Sequence, residues 1–62
     1  MLILDLYKVI DDDTKFDITY SDGILYENVR GDDWSQIPEH VLEWRVRDMF
    51  IGFTGALHIN AK

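Results

Sequence analysis

The chain has no cysteine, a single proline, and no apolar run approaching the ~20 residues that a membrane span needs. Without cysteine, neither a disulfide nor a thiolate metal site can staple the fold. Positive charge is scarce as well: six Lys and Arg stand against twelve Asp and Glu, for a net charge of −6. A chain of this sign is repelled by nucleic-acid phosphates and by anionic lipid, so neither is expected as a direct partner. The opening "MLILDLYKVI" lacks a basic n-region, carries Asp5 within its apolar run, and leads into acids rather than a small-residue cleavage site. It does not read as a secretory signal, and the expected compartment is the cytoplasm.

What is present is apolar bulk on a short chain. Of 62 residues, 47% are hydrophobic, including two Trp, three Tyr and three Phe. That is too apolar for a disordered tail and describes one small domain, residues 1–62. A chain this short buries only ~60% of its extended surface, so self-association into a homodimer would add core that the monomer lacks. The acid is regional: all twelve carboxylates lie before Met49, and residues 49–62 hold none.

Residues 2–10 fit a short helix, with Ile3, Leu6, Tyr7 and Ile10 on one face, better than a strand, whose alternation breaks at Lys8-Val9-Ile10. Asp11-Asp12-Asp13-Thr14 ends the element as a turn, because Asp and Thr compete for backbone hydrogen bonds. "KFDITYSDGILYENV" is a hairpin. A two-residue loop sets Phe16, Ile18 and Tyr20 against Leu25, Glu27 and Val29. A three-residue loop, Ser21-Asp22-Gly23 with Gly in the left-handed position, sets them against Ile24, Tyr26 and Asn28. Each register leaves one polar residue on the apolar face, and the second keeps Glu27 on the wet face with Asp17. Pro38 fits the first position of a second short helix, followed by Glu39 at the positive end of its dipole, with Val41, Leu42 and Trp44 placed to cover the sheet. "RDMFIGFTGALHINAK" is a second hairpin, in which a Thr54-Gly55-Ala56 loop aligns Met49, Ile51 and Phe53 with Leu57, Ile59 and Ala61 on a wholly apolar face. The expected fold is α+β: two antiparallel β-hairpins forming a four-stranded sheet, with one or two short helices on one face.

Sites for chemistry are sparse. Asp11-Asp12-Asp13 lacks the glycine and closing glutamate of a Ca²⁺ loop, and consecutive side chains diverge, so a solvated turn is expected. His40 and His58 form no ligand pair with each other or with cysteine, so no metal site is expected. His58 falls on the non-core face of the last strand. The hydroxyls of Ser21, Ser35, Thr14, Thr19 and Thr54 stand in no nucleophile elbow. No glycine pattern cradles phosphate, and no cofactor is implied. An enzyme is not expected; that reading would need a histidine in a pocket beside a hydroxyl or carboxylate. Trp34 and Trp44 belong either to the core or, where exposed, to a partner surface. The remaining feature is the acid itself, which on a small rigid scaffold can imitate DNA phosphates and occupy a basic channel in another protein.

The segments "LYKVIDDDTKFDI" and "VRGDDWSQIPEHVLEWRV", with a D-G hairpin between them and a closing hairpin after, resemble small phage- and prophage-encoded proteins of Gram-positive bacteria. That resemblance implies an accessory role and, by analogy with anti-CRISPR proteins, inhibition of a host nucleic-acid-processing or defence protein. It transfers no catalytic residue. The expected partner is a host protein with a basic surface, met by Asp11, Asp12, Asp13, Asp17, Asp32 and Asp33, with Trp34 as anchor.

Overall fold

The structure, a computed structural model, describes residues 1–20, 23–53 and 55–62; Ser21, Asp22 and Thr54 lie outside the described residues. In chain order the elements are α1 (Ile3–Leu6), β1 (Lys15–Tyr20), β2 (Gly23–Arg30), α2 (Glu39–Leu42), β3 (Val46–Ile51) and β4 (Leu57–Ala61). The class is α+β, as the pattern predicts. Hairpins β1–β2 and β3–β4 join into one four-stranded sheet, ordered β2-β1-β4-β3, and the residues of both helices share its core face. The hairpins meet along β1 and β4, which run parallel, so the sheet is mixed.

That order places β2 and β3 at opposite edges, and the chain between them must cross the sheet. Residues 31–45 make the crossing over the apolar face and lay Trp34, Ile37 and Val41 onto Phe16, Ile18, Val29, Ile59 and Ala61; Ile3 and Leu6 of α1 complete the core. Both helices are single turns. Asp5 accepts the Leu2 backbone N–H at 2.8 Å and starts α1. The expected helix over 2–10 therefore exists in kind but gives way after Leu6 to a turn, through Val9 and Ile10 N–H donating to the Leu6 carbonyl. Pro38 precedes the first turn of α2 as its N-cap, one position earlier than expected, and the helix stops before Trp44. Trp44 packs its ring on Tyr20 at 4.5 Å.

The first hairpin adopts neither expected register alone. Phe16 pairs with Val29, as a two-residue loop requires, but Ile18 pairs with Tyr26, as a three-residue loop requires, and Tyr20 pairs with Gly23. Gly23 is therefore a strand residue; the rest of the expected loop, Ser21 and Asp22, lies outside the described residues. The register shifts between these pairs insert extra residues into β2. At the first shift Glu27 and Asn28 together oppose Asp17, with Asn28 at φ 56°. Such a bulge costs ladder bonds. Here it brings Val29 and Tyr26 onto one face and leaves both Glu27 and Asn28 exposed, which no unbroken register could do.

The second hairpin is shifted by two residues from expectation. Met49 pairs with Ile59 and Ile51 with Leu57, and the turn is closed by Gly52 N–H donating to the Ala56 carbonyl at 2.8 Å. An even shift preserves which side chains share a face, so the apolar side remains apolar. Its cover does not follow. Among the described residues the two one-turn helices do not reach over the outer strand, and Met49, Ile51 and Phe53 are exposed rather than core.

Candidate functional site

Two arrangements of polar side chains arise from this topology. The first lies at the end of the sheet where β1 begins and β2 ends. Gly31 donates its N–H to the Thr14 carbonyl at 2.8 Å, and its Cα lies so close to Asp11 that a Cβ there would fall 1.8 Å from the Asp11 carbonyl oxygen. This contact fastens the Asp11-Asp12-Asp13 turn to the Asp32-Asp33 loop. Five carboxylates distant in sequence thus share one end of the molecule, all on exposed residues. Arg30 pairs with Asp32 at 3.2 Å across solvent, a contact that neutralises little. The Ser35 hydroxyl and backbone N–H both donate to Asp33, and these bonds to the charged form hold its carboxyl below the usual range. Among the described residues, no three His, Asp or Glu side chains converge closely enough to hold a metal ion. Beside this acidic end runs an open groove of about 560 Å³, lined by Asp13, Thr14, Lys15, Asn28, Gly55 and Ala56.

The second arrangement is on the face of the sheet that carries no helix. Because β1 and β4 are parallel neighbours, Asp17 and His58 sit side by side there, with Nδ1 of His58 3.3 Å from Oδ2 of Asp17. Oδ1 accepts the Asn28 backbone N–H at 2.7 Å, so the carboxylate also stops the bulge of β2. The contact points Nδ1 at the carboxylate and Nε2 away from it. That geometry resembles the orienting half of a catalytic pair. Nε2, however, is turned against Gly52, where a Cβ would lie 2.2 Å away, and the Phe50 ring stacks on the imidazole at 5.0 Å and 13°. Neither residue lines the groove. The pair clamps β1 to β4 and to the bulge.

This placement corrects two expectations. Asp17 was expected on the partner surface; it is only 6% exposed and spent on His58 and Asn28. Trp34 was expected as an anchor; it is buried, its N–H donates to the Gly31 carbonyl at 3.1 Å, and its ring lies 4.7 Å from Phe16 and 5.2 Å from Tyr7. The crossing of residues 31–45 over the apolar face takes it inside. Asp11, Asp12, Asp13, Asp32 and Asp33 are brought together. The Asp17–His58 pair was missed because its signal is a parallel contact between strands about forty residues apart, of which the local pattern holds no trace.

Removing the Asp17 carboxylate tests the clamp. Asp17→Ala should cost about 1–3 kcal/mol, the range for losing a hydrogen bond to a charged group, here the part-buried bond from Asn28 N–H, together with the His58 contact. The measurement is the urea midpoint at neutral pH; an unmoved midpoint would show that the clamp holds nothing.

Comparison with protein-family models, with curated proteins and with solved structures finds no significant match to this chain.

Proposed function

We propose that this chain is a non-enzymatic protein-binding module of phage origin, working in the host cytoplasm. Its partner is a host nucleic-acid-processing or defence protein, whose basic surface it occupies much as acidic DNA mimics and anti-CRISPR inhibitors do. The observation that supports this reading is the convergence of Asp11, Asp12 and Asp13 with Asp32 and Asp33 at one end of the molecule, through the Gly31 contact. A net charge of −6 with its acid grouped in this way steers a basic partner toward one end and speeds encounter. The enclosure of His58 Nε2 between Phe50 and Gly52 favours binding over catalysis. No helix is long and apolar enough to cross a membrane among the described residues.

The test is affinity capture from a bacterial lysate on the immobilised chain, run beside a D11K/D12K/D13K variant of matched circular dichroism. Captured proteins should bind nucleic acid, elute with duplex DNA or added salt, and bind the variant at least about tenfold more weakly. Equal capture by the variant, or capture indifferent to salt and DNA, would refute the reading.

A further inference from the structure

We propose that two copies of this chain pair edge to edge along β3 into an antiparallel dimer with one continuous eight-stranded sheet. The sheet ends in β2 on one side and β3 on the other, and the two edges differ. The β2 edge is broken by two register shifts and by the left-handed Asn28, devices that keep strands from adding. The β3 edge is covered at its start, where Val46 N–H donates to the Met1 carbonyl at 2.8 Å and Leu2 bridges Arg45, and is irregular near Arg47; beyond that it runs straight and uncovered through Met49, Phe50 and Ile51. Gly52 N–H donates to the Ala56 carbonyl, and bonded and open pairs alternate along an antiparallel ladder. Phe50↔His58 is thus the next bonded pair, and Met49 and Ile51 turn their N–H and C=O groups to the outside. Their side chains are exposed too, Ile51 at 67% and Phe50 at 53%, and Phe53 beyond them is fully exposed.

Charge decides that the occupant is a second copy. A chain of net −6 repels its own kind except where the acid is absent, and residues 49–62 hold none. The acidic loops lie at the β1–β2 side, two to three strands from β3, roughly 10–15 Å away. One two-fold register satisfies the outward groups: Met49 against the partner's Ile51, Ile51 against the partner's Met49, and Phe50 against the partner's Phe50 at the open, closest-approach position. Asp48 then faces the partner's Gly52, and Arg47 the partner's Phe53, so no charge meets its like. The chain exposes 4403 Å², and even a contact at the low end of specific interfaces, roughly 600 Å² per partner, would cover about a seventh of it. This proposal stands apart from the acidic end and survives if that reading fails.

Light scattering after size exclusion at roughly 100 µM, well above the Kd of a specific pair, should give twice the chain mass. Phe50→Lys sets two ammonium groups together on the axis and should raise Kd at least about tenfold. Ile51→Pro removes only an outward N–H, so it should yield a folded monomer. Phe50→Cys, in a chain otherwise free of cysteine, should oxidise to a disulfide-linked dimer, because open antiparallel pairs hold Cα atoms about 4.5 Å apart; Asp48→Cys should not. A monomer at that concentration, or a dimer untouched by Ile51→Pro, would overturn the proposal. So would a disulfide that forms as readily at position 48. If Phe50→Lys does not fold, the disulfide pair decides alone.

Discussion

Phe16→Ala should leave the chain largely unfolded at room temperature. Phe16 is fully buried on β1, the strand bonded to β2 on one side and β4 on the other. Its ring carries the Trp34 indole, which holds the crossing segment down. Truncating a buried Phe costs about 3–5 kcal/mol in lost transfer energy and cavity. A 62-residue domain has, at about 0.05–0.15 kcal/mol per residue, only about 3–9 kcal/mol to lose. A domain this short sits toward the low end of that range, so the substitution removes most or all of the margin. Near- and far-UV circular dichroism with a urea titration checks this, with Phe53→Ala as control. Phe53 is fully exposed, and its removal should move monomer stability by no more than about 0.5 kcal/mol. A cooperative Phe16→Ala transition near the parent midpoint would mean that the core is not centred on β1.

Gly31→Ala should be the most damaging single methyl in the molecule. The added carbon would lie 1.8 Å from the Asp11 carbonyl oxygen, 2.8 Å from its carbon and 3.1 Å from Cγ2 of Ile10. Backbone cannot swing aside as a side chain does, and retreat of Gly31 would break its bond to the Thr14 carbonyl and strain the Trp34 N–H bond to its own carbonyl. The expected loss is about 3 kcal/mol, at the upper end of overpacking costs. The effect also reaches function. Prising the Asp11–Asp13 turn from Asp32 and Asp33 spreads the carboxylates apart, so binding to a basic partner should weaken even in the fraction that remains folded. Stability is read from denaturation, and loop separation from amide chemical shifts of residues 11–14 and 31–35. A variant as stable as the parent, with those shifts unmoved, would show that the loops are not in contact.

The proposed binding and self-association would use different parts of this small surface. The acidic end gathers charge that is costly to bring near another copy, and the β3 edge from Met49 onward carries no carboxylate. A dimer along β3 would carry its two acidic ends far apart, one at each outer side of the sheet, available to two partners at once.

Sequence by itself determined the elements. Alternation at Phe16, Ile18, Ile59 and Ala61, the Pro38-Glu39 helix start and the Asp11–Asp13 turn are local facts of side-chain size, dihedral preference and hydrogen-bond competition, and they produced the α+β class with its two hairpins. It also determined that charge is regional, since composition along the chain needs no fold to be counted. Tertiary structure alone decided the rest. The hairpins could have joined by either strand; parallel pairing of β1 with β4 sent residues 31–45 over the apolar face, buried Trp34, and set Asp17 beside His58. The β2 bulge settled a conflict that both simple registers contained, because only an irregular ladder could keep Val29 and Tyr26 in and Glu27 and Asn28 out. The union of the two acidic loops hangs on a glycine contact between residues twenty apart. These choices are long-range: each depends on which distant surfaces exclude water together, and no window of neighbouring residues contains that information.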